Sequence, residues 1–323
     1  MSSMFGENVK FSVFGQSHSE AIGIVIDDLP AGESIDMQAI QVFMARRAPG
    51  NNPGDTPRRE ADEARVLSGL VDGVTCGAPL CAVIENTDAR PRDYEKLRHV
   101  PRPGHADFAL GEKFHGHQDI RGGGHSSGRL TAPLCFAGAV CIQILGRRGV
   151  EIRAGITKMG DIEDARRRGD SVGGVIECVA QGLPAGLGSP MFGGVENRLA
   201  AALFGIPAVR GVEFGAGFLA ASLLGSENND EYYIENGPVR TRTNHHGGVL
   251  GGVTTGMPLV LRVAIKPTPS IALPQKSVDL RRMEETELVI GGRHDACIVP
   301  RAVPVVEAVT ACVLLDLMME GRL

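Results

Sequence analysis

The chain has 323 residues, of which 43% are hydrophobic and 22% are charged, as in a soluble globular protein that can bury a large core. Its 33 basic and 38 acidic side chains give a formal net charge of −5, so the overall field does not favour nucleic acid or an anionic membrane surface. An anionic ligand must therefore be bound by local clusters of donors.

The cysteines and aromatic residues argue against further classes of protein. Seven cysteines form no CxxC pair and stand mostly in apolar runs such as "LCAVI", "LCFAGAVCI" and "IECVA", which indicates buried, reduced thiols rather than a zinc ribbon. No apolar run approaches the roughly 18 residues of a membrane helix, and the chain has no Trp for base stacking. We expect a cytoplasmic protein with no membrane or nucleic-acid partner.

The first predicted unit in chain order is a strand, a polar turn and a second strand over residues 9–32. His18 lies at the tip of that turn. Residues 34–50 then predict a helix that is capped by Ser34 or Asp36 and ends before a proline.

The remaining elements follow from hydrophobic periodicity. Residues 130–146 are small and almost continuously apolar, which predicts a buried helix. Alternating or helical patterns predict strands within 66–86, 150–162, 171–188 and 244–271, helices over 193–206 and 302–320, and a short basic link over 163–170. Because helices alternate with strand pairs, we expect an α+β layered protein forming one domain over residues 1–323.

Three glycine clusters carry hydrogen-bond donors. "RGGGHSS", "HHGGVLGG" and "VIGGRHD" join glycines to His125, Ser126 and Ser127, to Asn244, His245 and His246, and to Arg293 and His294. Glycine lets backbone N–H groups approach an anion closely, so such loops can bind phosphate. A solvated tight turn explains any one of these loops, whereas three in one chain favour a shared anionic ligand.

Other polar residues fit the same kind of ligand. "KPTPSI", residues 266–271, places two hydroxyls in a frame stiffened by proline. His18 and His105 stand in polar loops, where an imidazole can act as an acid near neutral pH or serve only as a structural hydrogen-bonding group. Arginines outside the apolar runs can pair with carboxylates or phosphates or simply be solvated; they include Arg46, Arg47, Arg58, Arg59, Arg129 and Arg293.

Several motifs together resemble the chorismate synthase family. They are "FGQSHSEAIGIVIDDLPAG", "RRAPGNNPGDTPRREADEARVLSG", "RPGHADFALGEKF", "RGGGHSSGR", "PAGLGSPMF", "NHHGGVLGGVTTGMP", "KPTPSI" and "GRHDACIVPRAVPVVEA". Their number, order and spacing cover nearly the whole chain, from about Gly6 to about Leu317.

The resemblance implies a lyase of aromatic amino acid biosynthesis. It would convert 5-enolpyruvylshikimate-3-phosphate to chorismate and phosphate by a trans-1,4-elimination that requires reduced FMN, with NADPH as an open candidate for the reductant. It also implies a β-α-β-α layered sandwich with antiparallel sheets and a homotetramer. Substrate and cofactor both carry phosphate, and the substrate adds two carboxylates, which accounts for the donors of the glycine-rich loops.

The resemblance also implies roles for individual residues. His18 would protonate the departing phosphate, His105 would stabilise the protonation state of the reduced flavin, and Asp295 would assist removal of the C6 proton. Ser17 and Ser127 would relay protons, and Arg47 and Arg129 would bind substrate. FMN contacts would fall on His125, Ser126, Ser127, Pro207, Ala208, Gly251, Lys266, Pro267, Thr268, Pro269, Ser270 and Arg293.

Some residues depart from the family pattern. His125 replaces a common arginine, Pro53 replaces a second arginine, Leu130 replaces a glutamate, and Gln16 and Ser19 alter the first motif without changing His18. Two alternatives stay open. The changes near His125 and Pro53 leave a flavin-binding paralogue without catalytic activity, and the histidine pairs leave a metal hydrolase, although no complete zinc motif is present. We expect no metal.

Overall fold

The computed structural model describes residues 3–50, 62–87, 98–291 and 295–320. Its α-helices are α1 (Met37–Ala45), α2 (Asp107–Lys113), α3 (Thr131–Gly146), α4 (Ile162–Arg168), α5 (Val195–Phe204), α6 (Gly225–Asn228) and α7 (Val299–Met318). Its strands are β1 (Met4–Phe5), β2 (Lys10–Gly15), β3 (Ala21–Asp27), β4 (Arg65–Ser68), β5 (Leu70–Val71), β6 (Val74–Thr75), β7 (Leu80–Glu85), β8 (Glu151–Met159), β9 (Gly174–Gln181), β10 (Val209–Phe214), β11 (Tyr232–Ile234), β12 (Val239–Thr241), β13 (Val249–Leu250), β14 (Val253–Thr254), β15 (Leu259–Ile265), β16 (Gln275–Asp279) and β17 (Glu284–Leu288).

Two antiparallel sheets form the outer layers. The first has the strand order β1-β2-β3-β7-β4 and the second has the order β10-β15-β9-β8. Strand β15 shows the alternation that the sequence predicts, since Leu259, Leu261, Val263 and Ile265 are buried while the residues between them are partly exposed. The buried face of each sheet requires an apolar layer against it.

Helices α3 and α7 supply that layer. Helix α3 packs on the first sheet, α7 packs on the second, and the two helices pack on each other. Gly138 permits the close approach, because a Cβ at this position would lie 2.2 Å from the Cα of Ala308. About one turn further along, Cys141 Sγ lies 3.9 Å from Cys312 Sγ, so the two helices run parallel.

The α+β class with antiparallel sheets is confirmed by this architecture. Helices α3 and α7 lie between the two sheets in this layered arrangement. One hydrophobic core runs through these layers, from Val9 to Leu317. The single-domain organisation stays a prediction.

Most predicted elements occur near their predicted bounds. Asp36 caps α1, and its Oδ1 accepts the N–H groups of Gln38 and Ala39 at 2.8 and 3.0 Å. The predicted basic link is instead helix α4, which begins after the capping Asp161 and ends at Gly169 with φ +71°. Strand β10 was not predicted, and its pairing with β15 stabilises it.

Among the residues that the structure describes, one helix has the length and composition of a membrane span. It covers Gly128–Gly146, and 78% of the apolar window within it is buried inside the protein. Such burial is typical of a core helix between two sheets.

Candidate active site

The N-terminal ends of α3 and α7 meet at one cavity of about 440 Å³. Thr131 begins α3 and lines the cavity, as do Ile298 and Arg301 in the first turn of α7. The other lining residues come from the segment after α1, the loop before α2, the glycine-rich segment before α3, the α5–β10 connection, the prolines after β15 and the start of α7. The positive ends of two parallel helix dipoles favour an anion at this place.

Cationic side chains outnumber carboxylates in the cavity wall. Asp295 is the one carboxylate among the described lining residues, and the cations are Arg47, Arg102, Arg129, Lys266 and Arg301. Lys266 Nζ donates to the carbonyl oxygen of Gly104. Burial and the charge of Arg210 lower the pKa of Lys266 below its ordinary value. The local charge thus suits an anionic ligand, although the whole chain is acidic.

A buried ion triplet fixes two of these arginines. Asp62 is 1% exposed, and its two carboxylate oxygens accept from Arg47 Nη1 and Arg129 Nη1. Burial alone would raise the pKa of Asp62, but the two guanidinium groups outweigh it and hold the pKa below its ordinary value. Arg47 Nε also donates to Thr131 Oγ1 at 3.1 Å, and Arg129 Nε donates to Asn86 Oδ1 at 2.9 Å. Both guanidinium groups are therefore held in place before any ligand binds.

A second cluster surrounds His105. Its Nδ1 lies 2.6 Å from Asp107 Oδ1, and Arg102 binds the same carboxylate with Nε and Nη2 at 2.7 and 2.8 Å. Arg102 Nη1 also donates to Ser270 Oγ at 3.3 Å, which links the loop before α2 to the prolines after β15. Two cavity segments are thereby joined through one arginine.

His18 lies behind Gly122 in the cavity wall. Gly122 has φ +64°, and a Cβ there would lie 2.7 Å from His18 Cε1 and 2.8 Å from Ser17 Oγ. Ser17 Oγ donates to the Arg121 carbonyl at 2.8 Å and lies 3.0 Å from His18 Nδ1. Because the single hydroxyl proton is already donated, Nδ1 of His18 carries its own proton and donates to Ser17.

Asp295 sits just before α7 and is paired with that helix. Arg301 Nη1 lies 3.1 Å from each Asp295 carboxylate oxygen, and Arg301 Nε donates to the Arg47 carbonyl at 3.0 Å. The Asp295 carbonyl accepts from Thr268 Oγ1 at 2.7 Å. This carboxylate therefore faces the cavity from a position fixed by both its side chain and its backbone.

The comparisons with known proteins agree with one another. The sequence model described as "Chorismate synthase" matches residues 9–166 and 159–319. The chain belongs to the chorismate synthase family. Chorismate synthase of Thermococcus gammatolerans is 47% identical over 350 aligned positions, which cover 99% of this chain and 98% of the relative. That of Lancefieldella parvula is 43% identical over 365 positions, with 98% and 96% covered.

A solved structure supports the same assignment. "Crystal Structure of Chorismate Synthase" superposes with a TM-score of 0.76 at 27% identity, covering 98% of this chain and 93% of that chain. The family forms chorismate in the shikimate pathway and is a lyase, and this is the activity of the chain. A requirement for reduced flavin is general in the family.

Most of the predicted site residues line this one cavity. They are Arg47, His105, Ser126, Ser127, Arg129, Pro207, Ala208, Lys266, Thr268, Pro269, Ser270 and Asp295. His18 and Ser17 lie directly behind its wall at Gly122. The structure thus brings together segments that are far apart in the sequence.

Four predicted residues are not brought into the described wall of the cavity. His125 instead bonds through Nδ1 to the Gly15 carbonyl and through Nε2 to Ser3 Oγ, each at 2.7 Å. Both ring nitrogens are occupied by these structural bonds, so the geometry gives its predicted flavin contact no support. Gly251 and Pro267 also lie outside the described lining, and Arg293 lies outside the described residues.

Sequence reasoning missed four charged residues of the site. Asp62, Arg102, Asp107 and Arg301 contact predicted residues directly. Arg102 and Asp107 stand in the quoted motif "RPGHAD", so that motif carried a usable signal. In the described parts of the chain, no group of three or more His, Cys, Asp or Glu side chains could hold a metal ion.

Proposed function

We propose that this cavity is the site where 5-enolpyruvylshikimate-3-phosphate is converted to chorismate and phosphate with the help of bound reduced FMN. The observation that carries the proposal is the convergence of cationic side chains, two histidines and one carboxylate on one cavity at the N-termini of α3 and α7. The substrate has one phosphate and two carboxylates, which match that excess of donors.

The lining also suits a flat flavin ring with a phosphate tail. Ile206, Pro207, Ile298 and Val305 supply apolar surface, while hydroxyl and backbone donors come from the segments around Ser126 and Thr268. The residues that would hold FMN are Ser126, Ser127, Pro207, Ala208, Lys266, Thr268, Pro269 and Ser270. When bound, reduced FMN supplies electron density to the substrate as its phosphate leaves.

Arg47 and Arg129 would bind the substrate's anionic groups. Asp62 holds the two guanidinium groups in fixed positions, so little reorganisation is needed when an anion arrives. The pair keeps a net positive charge, because two guanidinium groups share one carboxylate. This arrangement favours an anion that makes bidentate contacts.

Two histidines and Asp295 would handle protons. His18 would donate a proton to the departing phosphate, with its ring orientation fixed by Ser17 Oγ at 3.0 Å. His105 would keep the protonation state of the bound flavin, and Asp295 would assist removal of the proton lost from C6. Ser127 would relay protons; its Oγ already accepts the N–H of Arg129 at 3.3 Å.

An anaerobic turnover assay tests the proposal. Wild-type protein with dithionite-reduced FMN is expected to release phosphate and form chorismate, and His18→Ala should be slower by about 10²–10⁴-fold. His117→Ala, an exposed histidine of the loop after α2, is the matched control and should match wild type. No chorismate from folded wild-type protein with reduced FMN would overturn the proposal and leave a non-catalytic flavin-binding protein.

The same assay with NADPH alone decides the source of electrons. Turnover without dithionite would show that the protein reduces its own FMN. Its absence would assign the reduction to an external reductase.

We also propose a cytoplasmic homotetramer. All seven cysteines are free, which fits a reducing compartment, and large apolar side chains such as Phe192 and Phe218 are more than 80% exposed in the single chain. Light scattering on the purified protein should give the mass of four chains, and the mass of one 34.1 kDa chain would contradict the tetramer.

A further inference from the structure

The carboxylate of Asp107 lies against two side chains, those of Arg102 and His105. Arg102 holds the carboxylate with Nε to Oδ2 and Nη2 to Oδ1, and its backbone N–H donates to Oδ2 at 3.1 Å. His105 Nδ1 approaches Oδ1 to 2.6 Å, which is shorter than either of the two guanidinium contacts. The carboxylate thus lies between a fixed cation and the ring of a cavity histidine.

These distances decide where the imidazole proton lies. Arg102 Nη2 is 3.1 Å from His105 Nδ1, and a guanidinium nitrogen can only donate. If Nδ1 carried a lone pair, it would face the Asp107 carboxylate lone pairs at 2.6 Å, which is repulsive. Nδ1 therefore carries the proton and donates it to Asp107, and the Arg102 guanidinium donates to the carboxylate instead.

The carboxylate stays ionised in this environment. Burial alone would raise the pKa of Asp107, but hydrogen bonds and charge from Arg102 and His105 outweigh it and hold the pKa well below its ordinary value. Asp107 is therefore an acceptor and not a donor at neutral pH. Nε2 of His105 is the ring atom left to exchange a proton with a ligand, and it has no hydrogen-bond partner among the described residues.

We propose that Asp107 is a positioning residue that holds His105 as the Nδ1–H tautomer and so presents the Nε2 lone pair to the cavity. Arg102 clamps Asp107 in the orientation that this requires. What His105 then does in turnover rests on the proposed function, whereas the tautomer itself does not.

The Asp107→Asn variant separates these roles. Arg102 needs two acceptors, but an asparagine has one oxygen and one NH2 group, so the NH2 group turns towards His105 Nδ1. We expect the neutral ring to change to the Nε2–H tautomer. The matched control is Asp119→Asn, because Arg121 binds Asp119 with the same fork, Nε and Nη2 at 2.7 and 2.8 Å, in the following loop.

Solid-state ¹⁵N NMR of histidine-labelled protein reads the tautomer without any turnover. The spectrum of His105→Gln, subtracted from wild type, identifies the His105 signals. We expect a protonated Nδ1 in wild type and in Asp119→Asn, and a protonated Nε2 in Asp107→Asn. A protonated Nε2 in neutral wild-type His105 would overturn the proposal even if Asp107→Asn does not fold, and an unchanged tautomer in folded Asp107→Asn would also overturn it.

Kinetics add a second readout. We expect Asp107→Asn to lower kcat by about 10²–10⁴-fold with little change in KM, and Asp107→Glu to restore part of the rate and the Nδ1–H signal. If the tautomer changes as expected and the rate does not, the positioning role stands and the proposed role of His105 in turnover is wrong.

Discussion

Replacing Asp62 by Asn should destabilise the fold, because it removes the carboxylate charge that Arg47 and Arg129 share in the buried ion triplet. The side chains of Asp62, Arg47 and Arg129 are 0%, 4% and 5% exposed, so water cannot replace the lost carboxylate charge. Removing one partner of a buried ion pair costs about 3–5 kcal/mol. Arg47 keeps its hydrogen bond to Thr131 and Arg129 keeps its hydrogen bond to Asn86 in the variant. We therefore expect a loss of unfolding free energy at the lower end of this range, about 3 kcal/mol.

Urea unfolding measures this loss. The control is Asp28→Asn, which removes a 2.6 Å pair with Lys10 at the surface, where the side chains are 53% and 42% exposed. Exposed pairs contribute about 0–1 kcal/mol, so the control should stay near wild type. A loss in Asp62→Asn no larger than in the control would refute the reasoning.

An added anion should partly replace the missing carboxylate. If Arg47 and Arg129 bind phosphate, inorganic phosphate will raise the melting temperature of Asp62→Asn more than that of wild type, since ligand binding to the folded state stabilises it. Calorimetry with phosphate, and with chloride at equal ionic strength, separates specific binding from screening. Equal shifts in both proteins would show that the arginines do not form an anion site.

The remaining predictions concern three other positions. Gly138→Ala should destabilise the protein by about 1–3 kcal/mol or more in urea unfolding, because its Cβ would lie 2.2 Å from Ala308; an unchanged midpoint would contradict the helix contact. Asp295→Asn should lower kcat by about 10²–10⁴-fold with near-normal ligand affinity, whereas a purely structural role predicts loss of melting temperature as well. The depressed pKa of Asp107 stabilises the fold above the ordinary value of 3.8, and this contribution is lost as the pH falls through the folded-state pKa. The difference in unfolding free energy between wild type and Asp107→Asn should therefore shrink below pH 3.8.

The sequence predicted elements whose signals are local. Helix α3 begins at Thr131, one residue from its predicted start, because its apolar run is continuous and its one proline, Pro133, falls in the first turn, where a helix tolerates proline. Helix α4 was missed although Asp161 and Gly169 are good caps, since seven residues give little periodicity. Strand β10 depends on pairing with β15, and no local pattern shows that partner.

The site residues also fall into two groups, those with a local sequence signal and those whose role depends on the fold. The glycine cluster around Ser127 predicts an anion site from the residues alone, whereas the predicted role of His105 follows from the family resemblance. Asp62 could not, since it is one of several acids in "READEAR" and only the fold decides which of them reaches Arg47 and Arg129. His125 shows the converse, because a residue inside a good motif faces Ser3 and Gly15.

A crystal structure of the protein with FMN and 5-enolpyruvylshikimate-3-phosphate tests the central claim most directly. We predict both molecules in the cavity at the N-termini of α3 and α7, with a substrate anion on Arg47 and Arg129 and the flavin ring between Asp295 and His105. Ligands bound elsewhere, with this cavity filled only by solvent, would contradict the assignment of the active site.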